Sequence, residues 1–223
     1  MVAKNNLKML DLCMSTKEEK PWHSIVKTRT WYVLPKIIFA IESLTSLRLT
    51  CCGLEQASIR DNIKFISLQE LSLANVHANQ EIIQNLISSC PLITIFSLFR
   101  CHGMKHLRLV GLKNLDKLKV CQNYDKYDII KIIDIESPSL QVLVLNRCIR
   151  LRDFGLGRFR LSSHEIKTLK FLHLGWFHPN LDIPNLHTFE YICSKLPPSI
   201  VINTTSLQEA TIKLLPHGLV PST

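Results

Sequence analysis

One nine-position pattern constrains this chain more than any other feature: apolar residues at positions one, four and six, with cysteine or asparagine favoured at position nine. Its clearest copy lies in the stretch from Asn79 to Cys101. Ile82, Ile83, Leu86 and Ile87 fall at helical spacing, and Asn79 is placed to cap the turn that begins at Gln80. Pro91 forbids further helix. Ile93, Phe96, Leu98 and Cys101 then take up the pattern as a buried strand.

The pattern recurs as Leu7-Leu10-Leu12, Leu44-Leu47-Leu49-Cys52, Leu68-Leu71-Leu73, Leu115-Leu118-Val120-Asn123, Leu140-Leu143-Leu145-Cys148 and Leu169-Leu172-Leu174. Two weaker copies follow, Leu186-Phe189-Tyr191 and Leu207-Ala210-Ile212. Successive starts lie 37, 24, 25, 22, 25, 29, 17 and 21 residues apart. This is the L-x-x-L-x-L-x-x-N/C spacing of leucine-rich repeats, whose period is about 20–29 residues. Side chains alternate along a strand, so positions four and six point inward while three, five and seven point out. One strand cannot bury its own inner face, and stacking the copies makes a parallel sheet. The expected fold is therefore an α/β leucine-rich-repeat solenoid, a curved arc with the sheet on its concave face and helices and loops on its convex face. A single domain over residues 1–223 with about eight or nine repeats accommodates all copies. The long first gap and the segment around Gly155, Gly157 and the basic run Arg147 to Arg160 are expected to be irregular returns.

Composition narrows the function classes. Apolar residues make up 46% of the chain and charged residues 20%, enough to build a core. The first twenty residues carry no apolar run of the signal-peptide kind, and the longest apolar stretch, Leu86 to Phe99, is interrupted by Ser88, Ser89, Pro91, Thr94 and Ser97. No membrane association is expected. Eight cysteines without a secretory leader read as reduced thiols, and the expected location is cytoplasm, nucleus or both. Cys52, Cys101 and Cys148 all occupy position nine, where a small buried side chain can bond to backbone. The net charge of +9 reads first as solvated Lys and Arg on an outer face.

No glycine-rich phosphate loop, G-x-S-x-G elbow, H-E-x-x-H or C-x-x-C motif is present, so the chain is read as a non-enzyme without cofactor or metal. His102 and His106 lie near Cys101, but position nine already assigns that cysteine a buried role and a tetrahedral site needs a fourth ligand. Lys117, Lys119, Arg147, Arg150, Arg152, Arg158 and Arg160 concentrate charge in the second half. No aromatic residue is expected to alternate with them on a strand, so a stacking platform for nucleic acid is not anticipated.

The outward positions carry the candidate site. Most are polar, as solvent requires, among them Arg48 and Glu70. Ile95, Phe99, Val142, Val144 and Phe171 are apolar there, beside Lys117, Lys119 and His173. A contiguous apolar patch at exposed positions marks a partner surface, and the two lysines favour an acidic rim on that partner. A return loop covering these side chains, or a register displaced by one residue, would give the same pattern without a binding role.

Four segments carry a family resemblance: LPKIIFAIESLTSLRLTCCGLE (Leu34 to Glu55), SLQELSLANVHANQEIIQNLISSCPLI (Ser67 to Ile93), SPSLQVLVLNRC (Ser137 to Cys148) and PNLHTFEYICSKLPPSI (Pro184 to Ile200). In this order they resemble plant F-box proteins with leucine-rich repeats, many of which carry a C-terminal FBD region. The resemblance implies a protein-interaction module like the substrate-recognition part of a cullin-RING ubiquitin-ligase subunit, with catalysis left to other subunits. It covers the repeat region only. Met1 is followed almost at once by a repeat strand, so docking on a Skp-type adaptor is expected only if an F-box lies upstream. The alternatives are a free-standing scaffold or sequestering module, and a small-ligand sensor. Arg48, Lys117 and Lys119 are few and separated for the basic pocket a sensor would need.

Overall fold

The computed structural model describes residues 6–14, 31–55, 63–122, 130, 132–148, 158–174, 180–194 and 199–215. Nine strands stack in parallel into one sheet: β1 (Met9–Cys13), β3 (Ser46–Thr50), β5 (Glu70–Ala74), β6 (Ile95–Phe99), β8 (Lys117–Cys121), β10 (Val142–Asn146), β12 (Thr168–Leu172), β14 (Thr188–Cys193) and β16 (Glu209–Leu214). Between them run β2 (Tyr32–Val33), β4 (Cys52–Gly53), β7 (His106–Val110), β9 (Ile132–Glu136), β11 (Arg158–Ser162), β13 (Asn180–Asp182) and β15 (Val201–Asn203).

The register follows the nine-position pattern. Position four places Leu47, Leu71, Phe96, Leu118, Leu143, Leu169 and Phe189 side by side, and position six does the same with Leu49, Leu73, Leu98, Val120, Leu145, Phe171 and Tyr191. All fourteen are buried. Removing one such side chain from water stabilises the fold by about 1.5–3 kcal/mol, so the two internal rows are the main reason the strands align.

Backbone bonding repeats as regularly. The position-two carbonyls of Lys8, Thr45, Gln69, Thr94, Asp116, Gln141, Lys167 and His187 each accept two N–H groups from the following repeat. At the other end of the strands, the N–H groups of Cys51, Asn75, Arg100, Gln122, Arg147 and His173 donate to the position-seven carbonyl of the following repeat at 2.6–3.0 Å. Five of these six, Cys51, Asn75, Arg100, Arg147 and His173, have φ between 50° and 58°. This left-handed conformation, uncommon for side chains other than glycine, turns the chain off the sheet at the same point in each repeat.

These ladders correct the reading of the seventh copy. Lys167 holds position two, so the copy begins at Ile166 and runs Ile166, Leu169, Phe171, Leu174, all buried. The frame starting at Leu169 is displaced by three residues. Leu172 and Leu174 happen to satisfy its fourth and sixth positions, and an odd displacement inverts every side chain on a strand. With Ile166 as the start, the steps from Leu140 and to Leu186 become 26 and 20 residues in place of 29 and 17.

The other side of the solenoid also departs from expectation. Among the described residues there is one α-helix, α1 (Gln80–Ser88), and one 3-10 turn at Lys36–Ala40. The Asn79 side chain accepts from the Ile82 N–H at 2.9 Å and caps α1 as its sequence predicts. In place of further helices, β7, β9 and β11 make a second parallel sheet, while β13 pairs with β15 and β2 with β4. The cause is visible in HLRLV and IIDIE: apolar residues alternate with period two. Leu107, Leu109, Ile133 and Ile135 thus face the same core as the first sheet. The described chain is a parallel-strand solenoid with little helix. In β16, positions four and six hold Ala210 and Ile212, both exposed, because no strand follows among the described residues. Among those residues, no helix is long and apolar enough to cross a membrane.

Candidate functional site

Strands β6, β8 and β10 bring six of the anticipated residues into one block on the open face of the large sheet. In register, Ile95, Lys117 and Val142 form one row, and Ser97, Lys119 and Val144 the next. A third row holds Phe99, Cys121 and Asn146. Ile95, Val142 and Val144 are half-buried, Lys117 and Lys119 exposed, and Phe99 keeps 40% of its surface in contact with solvent. The Arg100 guanidinium lies 4.8 Å from the Phe99 ring centroid, a cation–π contact that orients the ring at the end of its strand.

The other anticipated residues fall outside this block. Arg48 and Glu70 sit on adjacent strands β3 and β5 and are joined at 3.2 Å, with Ser46 Oγ donating to the same carboxylate at 3.1 Å. Phe171 contradicts its expected exposure. It is fully buried, its ring edge-on to Phe159, Phe189 and Tyr191 with centroids 5.9, 6.3 and 6.4 Å away. His173 lies beyond the end of β12 in the left-handed turn, half-buried. Burial and the nearby Arg147 charge both depress its pKa. The open positions of β12 are Thr168, Lys170 and Leu172; the Ile166 frame reveals them, and the Leu169 frame hides them. Lys170 Nζ pairs with Glu190 at 2.8 Å on the neighbouring strand.

The cysteines divide by position. Cys101 donates its thiol to the Leu73 carbonyl at 3.3 Å and Cys148 to that of Val120 at 2.9 Å, in each case the position-six carbonyl of the preceding β-strand in the sheet. Burial raises the thiol pKa of Cys52 to about 11 and of Cys90 to about 12, and that of Cys148 further, so these groups stay protonated hydrogen-bond donors or apolar fillers. Cys121, half-buried on the open face, is also raised by burial, though Arg147 and Arg100 act on it in the opposite sense. The imagined cluster near Cys101 does not converge. His102 pairs with His77 as an isolated bridge and its ring lies 5.7 Å from Trp31, while His106 is exposed on β7. Among the described residues no three His, Cys, Asp or Glu side chains are grouped to hold a metal. On β11 Phe159 does fall between Arg158 and Arg160, contrary to expectation, but its ring packs edge-on to Phe171 against the core and offers no open stacking plane. Arg150 and Arg152 of the basic run, and Asn123 at position nine, lie outside the described residues.

The in-register stack, the position-nine cysteines and the repeated turns define the chain as a leucine-rich-repeat solenoid. Its family is specific: residues 1–182 match the family model described as FBD-associated F-box protein At5g56370, LRR repeats, and the chain belongs to that repeat family. No curated protein and no solved structure gives a significant match.

Proposed function

We propose that this chain is a protein-recognition module that engages its partner through the β6–β8–β10 block of the large sheet, the face expected to be concave in an arc of repeats. One observation carries the reading. In three adjacent strands, positions that solvent normally keeps polar hold Ile95, Phe99, Val142 and Val144 around two exposed lysines. Neighbouring strands β3 and β5 present Arg48, Ser72 and Glu70 at equivalent positions. Such a contiguous change from polar to apolar on a repeat surface suits a partner's side chains better than water.

Membership of a repeat family named for F-box proteins supports a finer reading, substrate recognition for a ubiquitin ligase with transfer carried out by other subunits. A single repeat domain of residues 1–223, acting in a reducing compartment such as cytoplasm or nucleus, is consistent with buried free thiols at position nine. Adaptor docking would require an F-box in the same polypeptide, and a free-standing scaffold would not. The test is proximity labelling in cells with the wild-type chain, Phe99→Asp and Val144→Asp, each checked for an unchanged melting temperature. Proteins enriched by the wild type and lost from both folded variants support the face. An identical set from all three refutes it. Co-enrichment of a cullin and its adaptor separates the ligase role from the scaffold.

A further inference from the structure

We infer that the β6–β8–β10 block takes an extended peptide segment in which two acidic residues alternate with apolar ones, their carboxylates seated over Lys117 and Lys119. The inference rests on that block being the binding face and adds the chemistry of what it binds. Elsewhere the sheets pair opposite charges across neighbouring strands: Arg48 with Glu70 at 3.2 Å, Lys170 with Glu190 at 2.8 Å, and on the second sheet Arg108 with Asp134 at 3.9 Å. On β8 this arrangement is broken. The lateral neighbours of Lys117 are Ile95 and Val142, and those of Lys119 are Ser97 and Val144, so neither row offers a carboxylate. Lys117 lies 3.9 Å from the carboxylate of Asp116, its own chain neighbour and not a residue of the next strand, as far as Arg108 lies from Asp134, and Lys119 meets no carboxylate across its row. Two exposed ammonium groups therefore project from one strand, flanked by Ile95, Val142 and Val144.

The spacing selects the ligand. Lys117 and Lys119 are alternate residues, about 6.6 Å apart along the strand, and alternate residues of an extended peptide repeat at the same interval. Acidic side chains at that interval meet the lysines, while apolar residues of the segment reach Ile95, Phe99, Val142 and Val144. Nucleic acid offers the same charge but needs aromatic planes for its bases. Phe99 is the one aromatic residue on the open face of these three strands, Phe96 being buried in the core, and the Arg100 guanidinium already lies over the Phe99 ring.

The experiment is selection of random linear peptides displayed on phage against the full chain, followed by fluorescence anisotropy with the synthetic consensus peptide. Acidic residues at alternate positions are expected in the selected sequences. The double variant Lys117→Gln/Lys119→Gln should weaken the consensus peptide about tenfold, the loss of two ion pairs at a partly covered surface. Lys117→Glu/Lys119→Glu should select basic peptides instead. A neutral or basic consensus for the wild type, no enrichment, or unchanged affinity in the glutamine variant overturns the acidic-peptide assignment. If a selected peptide of neutral or basic sequence, or one indifferent to the glutamine variant, still loses binding with Val144→Asp, the face itself stands; with no enrichment, the cellular proximity labelling with Phe99→Asp and Val144→Asp decides the face. Should binding survive both Val144→Asp and Phe99→Ser, the face fails as well. Val142→Ser replaces Val144→Asp if the latter does not fold. Displacement of the peptide by labelled oligouridine at equal concentration would overturn the assignment in favour of RNA.

Discussion

Truncating Phe171 tests the register that places every side chain of β12. The residue is fully buried, and three aromatic rings, those of Phe159, Phe189 and Tyr191, stand edge-on around it within 6.4 Å. Phe171→Ala removes the transfer free energy of the ring and leaves a cavity that rings held by neighbouring strands fill poorly, a loss of about 3–5 kcal/mol. Leu172→Ala, one residue on and half-buried on the open face, should cost about 1 kcal/mol or less. Urea unfolding followed by far-UV circular dichroism reads the difference: with a slope near 2 kcal/mol/M, the Phe171→Ala midpoint falls by about 2 M. Phe171→Leu provides an intermediate, near 1 kcal/mol, if the alanine variant does not fold. Had the repeat begun at Leu169, Leu172 would be the core residue. A larger loss for Leu172→Ala than for Phe171→Ala would refute the ladder-based register.

Tyr191 is buried with no hydrogen-bond partner for its hydroxyl among the described residues, and burial, with a smaller contribution from Cys193, pushes its pKa up to about 12. Tyr191→Phe should therefore leave the urea midpoint unchanged or raise it, since an unsatisfied buried polar group is removed; a drop of more than about 1 kcal/mol would reveal a bond to this oxygen. The thiols should separate under Ellman's reagent: Cys13, Cys51 and Cys121 are the accessible group, while Cys52, Cys90, Cys101, Cys148 and Cys193 react only after unfolding. A buried thiol that reacts as fast as Cys13 in the native protein contradicts the packing. His173 is held neutral by burial and by Arg147, so the unfolded chain takes up its proton first as pH falls. The sign is a loss of stability below about pH 6.5, continuing until the folded-state pKa is passed. His173→Gln should flatten that part of the urea-midpoint profile against pH, and a steeper profile in the variant would reverse the sign.

The sequence carried the repeat frame wherever leucine or isoleucine filled positions one, four and six, and those strands align in the structure as their spacing requires. It misled at β12. There a chance Leu169-Leu172-Leu174 run matches the pattern three residues after the true start at Ile166, so the false frame puts Phe171 outside and hides Lys170 and Leu172. The return side, expected as helices and loops, holds one helix, α1, and otherwise short strands among the described residues. His106–Val110 and Ile132–Glu136 alternate with period two and were legible as strands once the segments after position nine were read for their own periodicity. The candidate face was legible for Ile95, Phe99, Lys117, Lys119, Val142 and Val144, because two-residue alternation fixes the side of a strand. The pairing of Arg48 with Glu70 was not, since the in-register neighbours are Ser46 with Glu70 and Arg48 with Ser72, and the ion pair runs across the diagonal where side-chain conformation decides it. The left-handed turns at position eight were also hidden, because Arg, Asn, Cys and His adopt them where glycine would have announced them.

The most direct measurement of the central claim is site-specific photo-crosslinking in cells. Benzoylphenylalanine replaces Phe99 on the open face or Arg108 on the opposite sheet, and the adducts are resolved by mass. A defined protein adduct is expected from position 99 and none from position 108. The same adduct from both positions, or from position 108 alone, would contradict it.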